Sequence, residues 1–110
     1  MTIIQSLQKK LRDHDVDGFL IMSPINRRYV TGFTGTAGAV LLTETDARFI
    51  TDFRYVEQAE EQVHGFQIVK QAGTLMNEIA VQSSSLGIKK LGFEKKQNLH
   101  MQNMNNWSKR

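Results

Sequence analysis

The stretch Asn26-Arg-Arg-Tyr-Val-Thr-Gly-Phe-Thr-Gly-Thr-Ala-Gly38 constrains this chain more than any other. It packs three glycines, two aromatic rings, two arginines and three threonines into thirteen positions, between the apolar runs Gly18–Met22 and Ala39–Leu42. No amphipathic period runs through it. Gly32, Gly35 and Gly38 permit a positive φ or a close backbone approach that a β-carbon would forbid. A loop of this composition between two core strands is where a small domain presents a surface. Phosphate-cradling motifs do not match it. The glycines are spaced Gly-x-x-Gly-x-x-Gly, no Gly-Lys-Ser/Thr follows, and the next segment, Ala39-Val-Leu-Leu42, reads as a strand rather than a helix.

At 110 residues, 40% hydrophobic and 23% charged, the chain has the composition of one globular domain. It contains no cysteine, so disulfides and thiolate metal sites are excluded. No run approaches the roughly 20 apolar residues of a membrane span, and the N-terminus lacks a signal-peptide pattern. An intracellular, cytoplasmic protein is the expectation. The net charge of +3 is modest, and its C-terminal lysines lack the aromatic interleaving of a nucleic-acid face. No nucleic-acid or membrane partner is expected.

Taken in order, Ile3, Ile4, Leu7 and Leu11 form the apolar stripe of a first helix, with Thr2 and Gln5 at capping-box spacing. Asp13-His-Asp-Val-Asp-Gly18 imitates a calcium loop but has Pro24 where the bidentate glutamate belongs, so it reads as a polar turn. Gly18–Met22 is a strand covered on both faces. Residues 25–31 make one or two helical turns. Ala39–Thr43 and Ala47–Thr51 form a hairpin. Asp52 caps a helix from Phe53 to about Val63, with Phe53, Val56, Ala59 and Val63 inward. Phe66–Val69 is a fourth strand, Thr74 caps another helix, and Lys90–Phe93 is a fifth strand. Alternating elements with one hairpin predict an α/β domain with a mixed sheet between helices.

Three motifs together resemble the N-terminal domain of the creatinase, prolidase and aminopeptidase P family. They are Asn26-x-x-Tyr29-Val30-Thr31-Gly32-Phe33-x-Gly35-x-x-Gly38, then Thr51-Asp52-x-Arg54-Tyr55-x-x-Gln58-Ala59, then Leu91-Gly92-Phe93-Glu94. The resemblance covers residues 1 to about 99. It implies a three-layer α-β-α, ribonuclease-H-like domain with a mixed sheet. It also implies a parent that removes the residue before a proline, with two divalent metal ions, manganese or cobalt, held in a following metallopeptidase domain. In the family this first domain mediates self-association, and its loops approach the catalytic pocket, often a neighbouring subunit's. A homo-oligomer acting on proline-containing peptides is therefore implied.

The family's metal ligands, two aspartates, a histidine and two glutamates, belong to that second domain. His14, His64 and His100 lack metal-pairing spacing here, and no nucleophile–base pair is evident, so this stretch by itself is expected to hydrolyse nothing. Arg54 is the candidate for substrate contact, because it matches the family's Asp-x-Arg-Tyr arginine and a guanidinium can hold a carboxylate or carbonyl bidentately. The competing reading pairs it with Asp52 or Glu57. Tyr55 is a weaker candidate contact. Tyr29, Phe33 and Tyr55 are expected chiefly to pack, and Asn26 and Thr31 to satisfy turn backbone. Arg27 and Arg28 match no fixed pattern and receive no role. A free-standing ligand- or protein-binding domain of the same fold is the alternative function.

The tail departs from the family. A helix patterned Leu-Ser/Thr-Tyr-x-x-Tyr-x-x-Leu usually follows Glu94, whereas Leu99 here leads into Met101, Met104 and Trp107 among asparagines. Methionine and tryptophan have single codons, and moving the frame back one base converts these three to Tyr, Tyr and Leu when T, T and C precede them. Residues 100–110 are accordingly read as an irregular tail and a frameshift product, with a divergent natural end as the alternative.

Overall fold

The structure is a computed structural model that describes residues 3–13, 15–35, 37–94 and 107–109. Its elements are α1 (Ile3–Asp13), β1 (Gly18–Ile21), α2 (Pro24–Thr31), β2 (Ala39–Leu42), β3 (Ala47–Thr51), a 3₁₀ turn (Phe53–Tyr55), α3 (Val56–Gln62), β4 (Gln67–Lys70), α4 (Leu75–Ser85), β5 (Leu91–Glu94) and β6 (Trp107–Lys109). The sheet runs β4-β3-β2-β1-β5-β6. β1–β2, β2–β3 and β5–β6 are antiparallel, while β1–β5 and β3–β4 are parallel. The expected mixed sheet is therefore present.

Every residue of β1 and β2 is buried, because helices cover both faces of the sheet. On one face, Leu7 and Leu11 of α1 and Ala59 of α3 meet Phe19, Ile21, Val40, Leu42 and Phe49. On the other, Ile79 of α4 meets Leu20, Leu41 and Ile50. This alternation along each strand gives the three layers. Burying side chains such as Leu7 or Phe19 contributes roughly 1.5–3 kcal/mol each.

Local signals place the connections. Thr43 Oγ1 accepts from Asp46 N (2.9 Å) and Thr45 N (3.3 Å), closing the β2–β3 hairpin. Thr74 caps α4 by accepting from Asn77 N at 3.1 Å. The calcium-like turn has other employment: the Asp17 carboxylate accepts from Lys90 N (2.7 Å) and Lys89 N (3.0 Å), tying the entry of β5 to β1. The Thr2–Gln5 capping box involves a residue outside the described ones, as do residues 95–106 and 110 of the tail. Trp107–Lys109 are an extended edge strand on β5.

Apart from β6, where the sequence suggested no strand, one element departs from expectation. Residues 53–63 do not form a single helix. The first turn is 3₁₀, and only Val56–Gln62 is α-helical. Phe53 therefore precedes the α-helix and is not placed by its period. Phe53 is 74% exposed instead of inward.

Besides Asp52, described below, two carboxylates make stability depend on pH. For Asp17, desolvation raises the pKa, but the amide hydrogen bonds from Lys89 and Lys90 outweigh it and leave it below the ordinary 3.8. For Glu78, bonds from Gln82 Nε2 (2.7 Å) and Ala72 N (3.0 Å) hold it below the ordinary 4.5. A pKa lowered by folding contributes stability above the unfolded value and loses it as pH falls through the folded value. The melting temperature is therefore expected to be flat above about pH 5 and to fall as the medium is acidified through 4.5 and below 3.8. Thermal melts across this range on the native chain and an Asp17→Asn, Glu78→Gln double variant check it. A double variant with the same acid limb would defeat the assignment.

Candidate functional site

The glycine-rich loop joins α2 to β2 at the sheet end where β1 stops and β3 also finishes. Pro24 starts α2, its fixed φ and missing N–H suiting a first helical position. Gly32 stops the helix at φ +79°, donating its N–H to Arg28 O at 2.7 Å. This is the left-handed cap that glycine adopts without strain. Thr31 Oγ1 donates to Arg27 O (2.7 Å) and accepts from Phe33 N (3.0 Å), fixing the exit of the chain as its motif position suggested.

Beyond Gly32 the described residues of the loop have several partners. Phe33 is 1% exposed and stacks obliquely on Phe49 at 4.8 Å and edge-on to Tyr55 at 6.1 Å. The rings explain the other two glycines. A β-carbon on Gly35 would lie 2.3 Å from Phe33 Cζ, and one on Gly38 would lie 2.8 Å from Phe49 Cζ. Thr51 Oγ1 donates to Ala37 O at 2.7 Å. Thr34 N donates to Gln62 Oε1 (3.0 Å), and Gln58 Nε2 donates to Thr34 Oγ1 (3.1 Å).

The central support is Arg27, which the sequence left without a role. It is 4% exposed. Its Nη1 donates to Gly38 O at 3.0 Å and Met22 O at 3.5 Å, and its Nη2 to Gly35 O at 3.0 Å. One planar fork thus satisfies carbonyls in the middle and at the far end of the loop and at the exit of β1, which a point-like ammonium could not do. A signal existed. Asn26, Arg27, Val30 and Thr31 are the buried residues of α2, spaced i, i+1, i+4 and i+5 on one helical face. The i, i+4 pair Gln58 and Gln62 on α3 was missed too.

Asp52 and Arg54 stand beside this loop. Asp52 caps the 3₁₀ turn by accepting from Arg54 N at 2.8 Å, and its carboxylate also receives Arg54 Nε (3.1 Å) and Nη2 (2.6 Å). This pairing, led by the side-chain hydrogen bonds, lowers the Asp52 pKa and raises that of Arg54. The Arg54 side chain is 64% exposed, with its guanidinium 5.5 Å from the Tyr55 ring centroid. Asp52, not Glu57, is therefore its partner. Asn26 is buried, as is Phe33, and Tyr55 packs partly buried against the core. Tyr29 corrects the packing expectation, being 46% exposed; it lies outside the buried face of α2 formed by Asn26, Arg27, Val30 and Thr31. Among the described residues no group of three or more His, Cys, Asp or Glu could hold a metal ion. The described part of this chain does not supply a donor set for the divalent ions of the family.

Residues 3–110 match the family model for the creatinase/prolidase N-terminal domain. The chain belongs to that family. This creatinase/prolidase N-terminal domain is 47% identical over 91 residues to the uncharacterized peptidase YqhT of Bacillus subtilis, covering 83% of this chain and 26% of that protein. Among solved structures it resembles the Xaa-Pro dipeptidase from Bacillus anthracis, with 46% identity and a TM-score of 0.81 over 88% of this chain and 27% of that one. It also resembles the N-terminal domain of the cytoplasmic peptidase PepQ from Mycobacterium tuberculosis, with 33% identity and a TM-score of 0.74 over 82% of this chain and 70% of that one. The creatinase/prolidase domain thus spans about a quarter of the length of the first two relatives. Among its described residues no helix is long and apolar enough to cross a membrane.

Proposed function

We propose that this domain is the non-catalytic N-terminal part of a metal-dependent Xaa-Pro peptidase, where it serves subunit association and lines the substrate pocket. The observation that carries the reading is the 46% identity to an Xaa-Pro dipeptidase over about a quarter of that chain, joined to a loop held by Arg27 and Gln62 beside an exposed arginine. In this reading Arg54 contacts a proline-containing peptide and Tyr55 flanks it. The exposed Tyr29 and Phe53, on α2 and the 3₁₀ turn flanking the loop, suit contact with a second subunit or with the catalytic domain. Two divalent ions, manganese or cobalt, then belong to that following domain, and the parent works in the cytoplasm. The frameshift origin of the tail is part of the same proposal, and the coding sequence around codon 99 decides it.

The purified chain is expected to leave an Xaa-Pro dipeptide and a longer Xaa-Pro peptide intact in the presence of manganese. Turnover above both an Arg54→Ala control and a mock preparation would overturn the division of labour. A coding sequence that continues into an Asp, Asp, His, Glu, Glu series supports it, and one that continues without that series supports a free-standing binding domain.

A further inference from the structure

Between α2 and the glycine loop lies a solvent-open groove of about 310 Å³, lined by Pro24, Ile25, Arg28, Phe33, Thr34 and Gly35, with Arg27. The two neighbouring arginines differ in state. Arg27 is buried and engaged with three carbonyls. Arg28 is exposed, and its guanidinium has no hydrogen-bond or ion-pair partner among the described residues. Asp52, the carboxylate at this end of the sheet, is already taken by Arg54. The groove therefore carries one uncompensated cation beside the apolar surface of Pro24 and Ile25, the latter 62% exposed.

We infer that this groove binds the C-terminal end of a short peptide whose last residue is apolar, with the carboxylate on Arg28 and the side chain against Pro24 and Ile25. A guanidinium fork matches a carboxylate bidentately, and an exposed aliphatic side chain beside it gains by being covered. The volume lies at the lower end of the ~300–1,000 Å³ of ligand pockets, which suits one terminal residue rather than an extended strand. A phosphate group fits less well, because Arg27 is engaged elsewhere and no lysine lines the groove. The walls need little ordering on binding, since Arg27, Gln58 and Gln62 already hold Gly35 and Thr34. The inference goes beyond the pocket-lining role: it concerns this chain alone and makes no use of Arg54 or of any catalysis.

The test is a ¹⁵N–¹H titration of the full chain with N-acetyl-alanyl-leucine, with its C-terminal amide, and with inorganic phosphate. The free acid is expected to give saturable shifts at the amides of Ile25, Arg28, Thr34 and Gly35. The amide is expected to bind about five-fold more weakly, the factor one exposed charge pair supplies. Arg28→Gln is expected to weaken the acid by the same factor while leaving the melting temperature unchanged, and Ile25→Ser to weaken acid and amide alike. Equal binding of acid and amide, no loss with Arg28→Gln, or no saturable shift for the acid at millimolar concentration would each overturn the inference. So would phosphate saturating the same amides at lower concentration than the acid. None of these results bears on Arg54, whose role is read from kinetics.

Discussion

Arg27→Met is expected to destabilise the domain by about 2–4 kcal/mol. Methionine roughly preserves the length and packing of the side chain but has no donor. The carbonyls of Gly35 and Gly38, each 3.0 Å from the guanidinium, then lose their partner, at roughly 1–3 kcal/mol for the buried acceptor of Gly38 and less for the part-buried one of Gly35. For a domain of about 100 residues each kcal/mol corresponds to about 4–8 °C in melting temperature, so a fall of more than ~10 °C is expected. Arg27→Lys keeps the charge but reaches fewer carbonyls, and it should fall between the two. Thermal and urea unfolding of the three proteins, with amide exchange at Ala37 and Gly38, make the measurement. A methionine variant within about 0.5 kcal/mol of the native chain, the range of ordinary surface changes, would show that Arg27 is not what holds the loop.

In a full-length enzyme carrying this domain, Arg54→Lys is expected to lower kcat/KM about 10- to 150-fold. That range corresponds to one charge-assisted hydrogen bond of roughly 1.5–3 kcal/mol made to substrate. The geometry suggests how the contact is shared. Asp52 engages Nε and Nη2 of Arg54, so the carboxylate acts as a brace while Nη1 stays available, unpartnered among the described residues. Lysine cannot be braced and donate outward through one planar group. Stability should move by less than about 0.5 kcal/mol, since the Arg54 side chain is 64% exposed.

Gly32→Val is the contrasting variant. A β-carbon there meets nothing nearer than Gln62 O at 3.8 Å, so sterics are minor, but φ of +79° costs an L-residue roughly 1–2 kcal/mol. Stability and activity should fall together. Steady-state kinetics and thermal melting on both variants separate the two mechanisms. Unchanged kinetics for Arg54→Lys would reduce Arg54 to a surface partner of Asp52.

Much of this was legible because the responsible forces act over a few residues. Gly18–Ile21 and Ala39–Leu42 read as strands since unbroken apolar runs of that length suit a sheet covered on both faces. Thr74 and Asp52 announced their caps through short side-chain oxygens that reach amides two or three residues on. Gly32 announced the end of α2 because few other residues tolerate its backbone angle. The three motifs sufficed for the family and hence the layer order.

What depended on distant partners could not be read locally. Whether Tyr29 or Asn26 faces inward depends on how α2 is rotated against the rest of the fold, and it is the polar Asn26 that is buried. Phe53 looked inward by helical period, but the Asp52 cap starts a separate 3₁₀ turn ahead of α3, in which Phe53 is exposed. Arg27 and Arg28 are identical neighbours in sequence. Successive residues on a helix point about 100° apart, so one enters the interior, where unpaired carbonyls at Gly35 and Gly38 require a donor, and the other faces water. Only the folded loop, bringing residues 22, 35 and 38 around one side chain, decides which arginine becomes structure and which remains a charge free to bind.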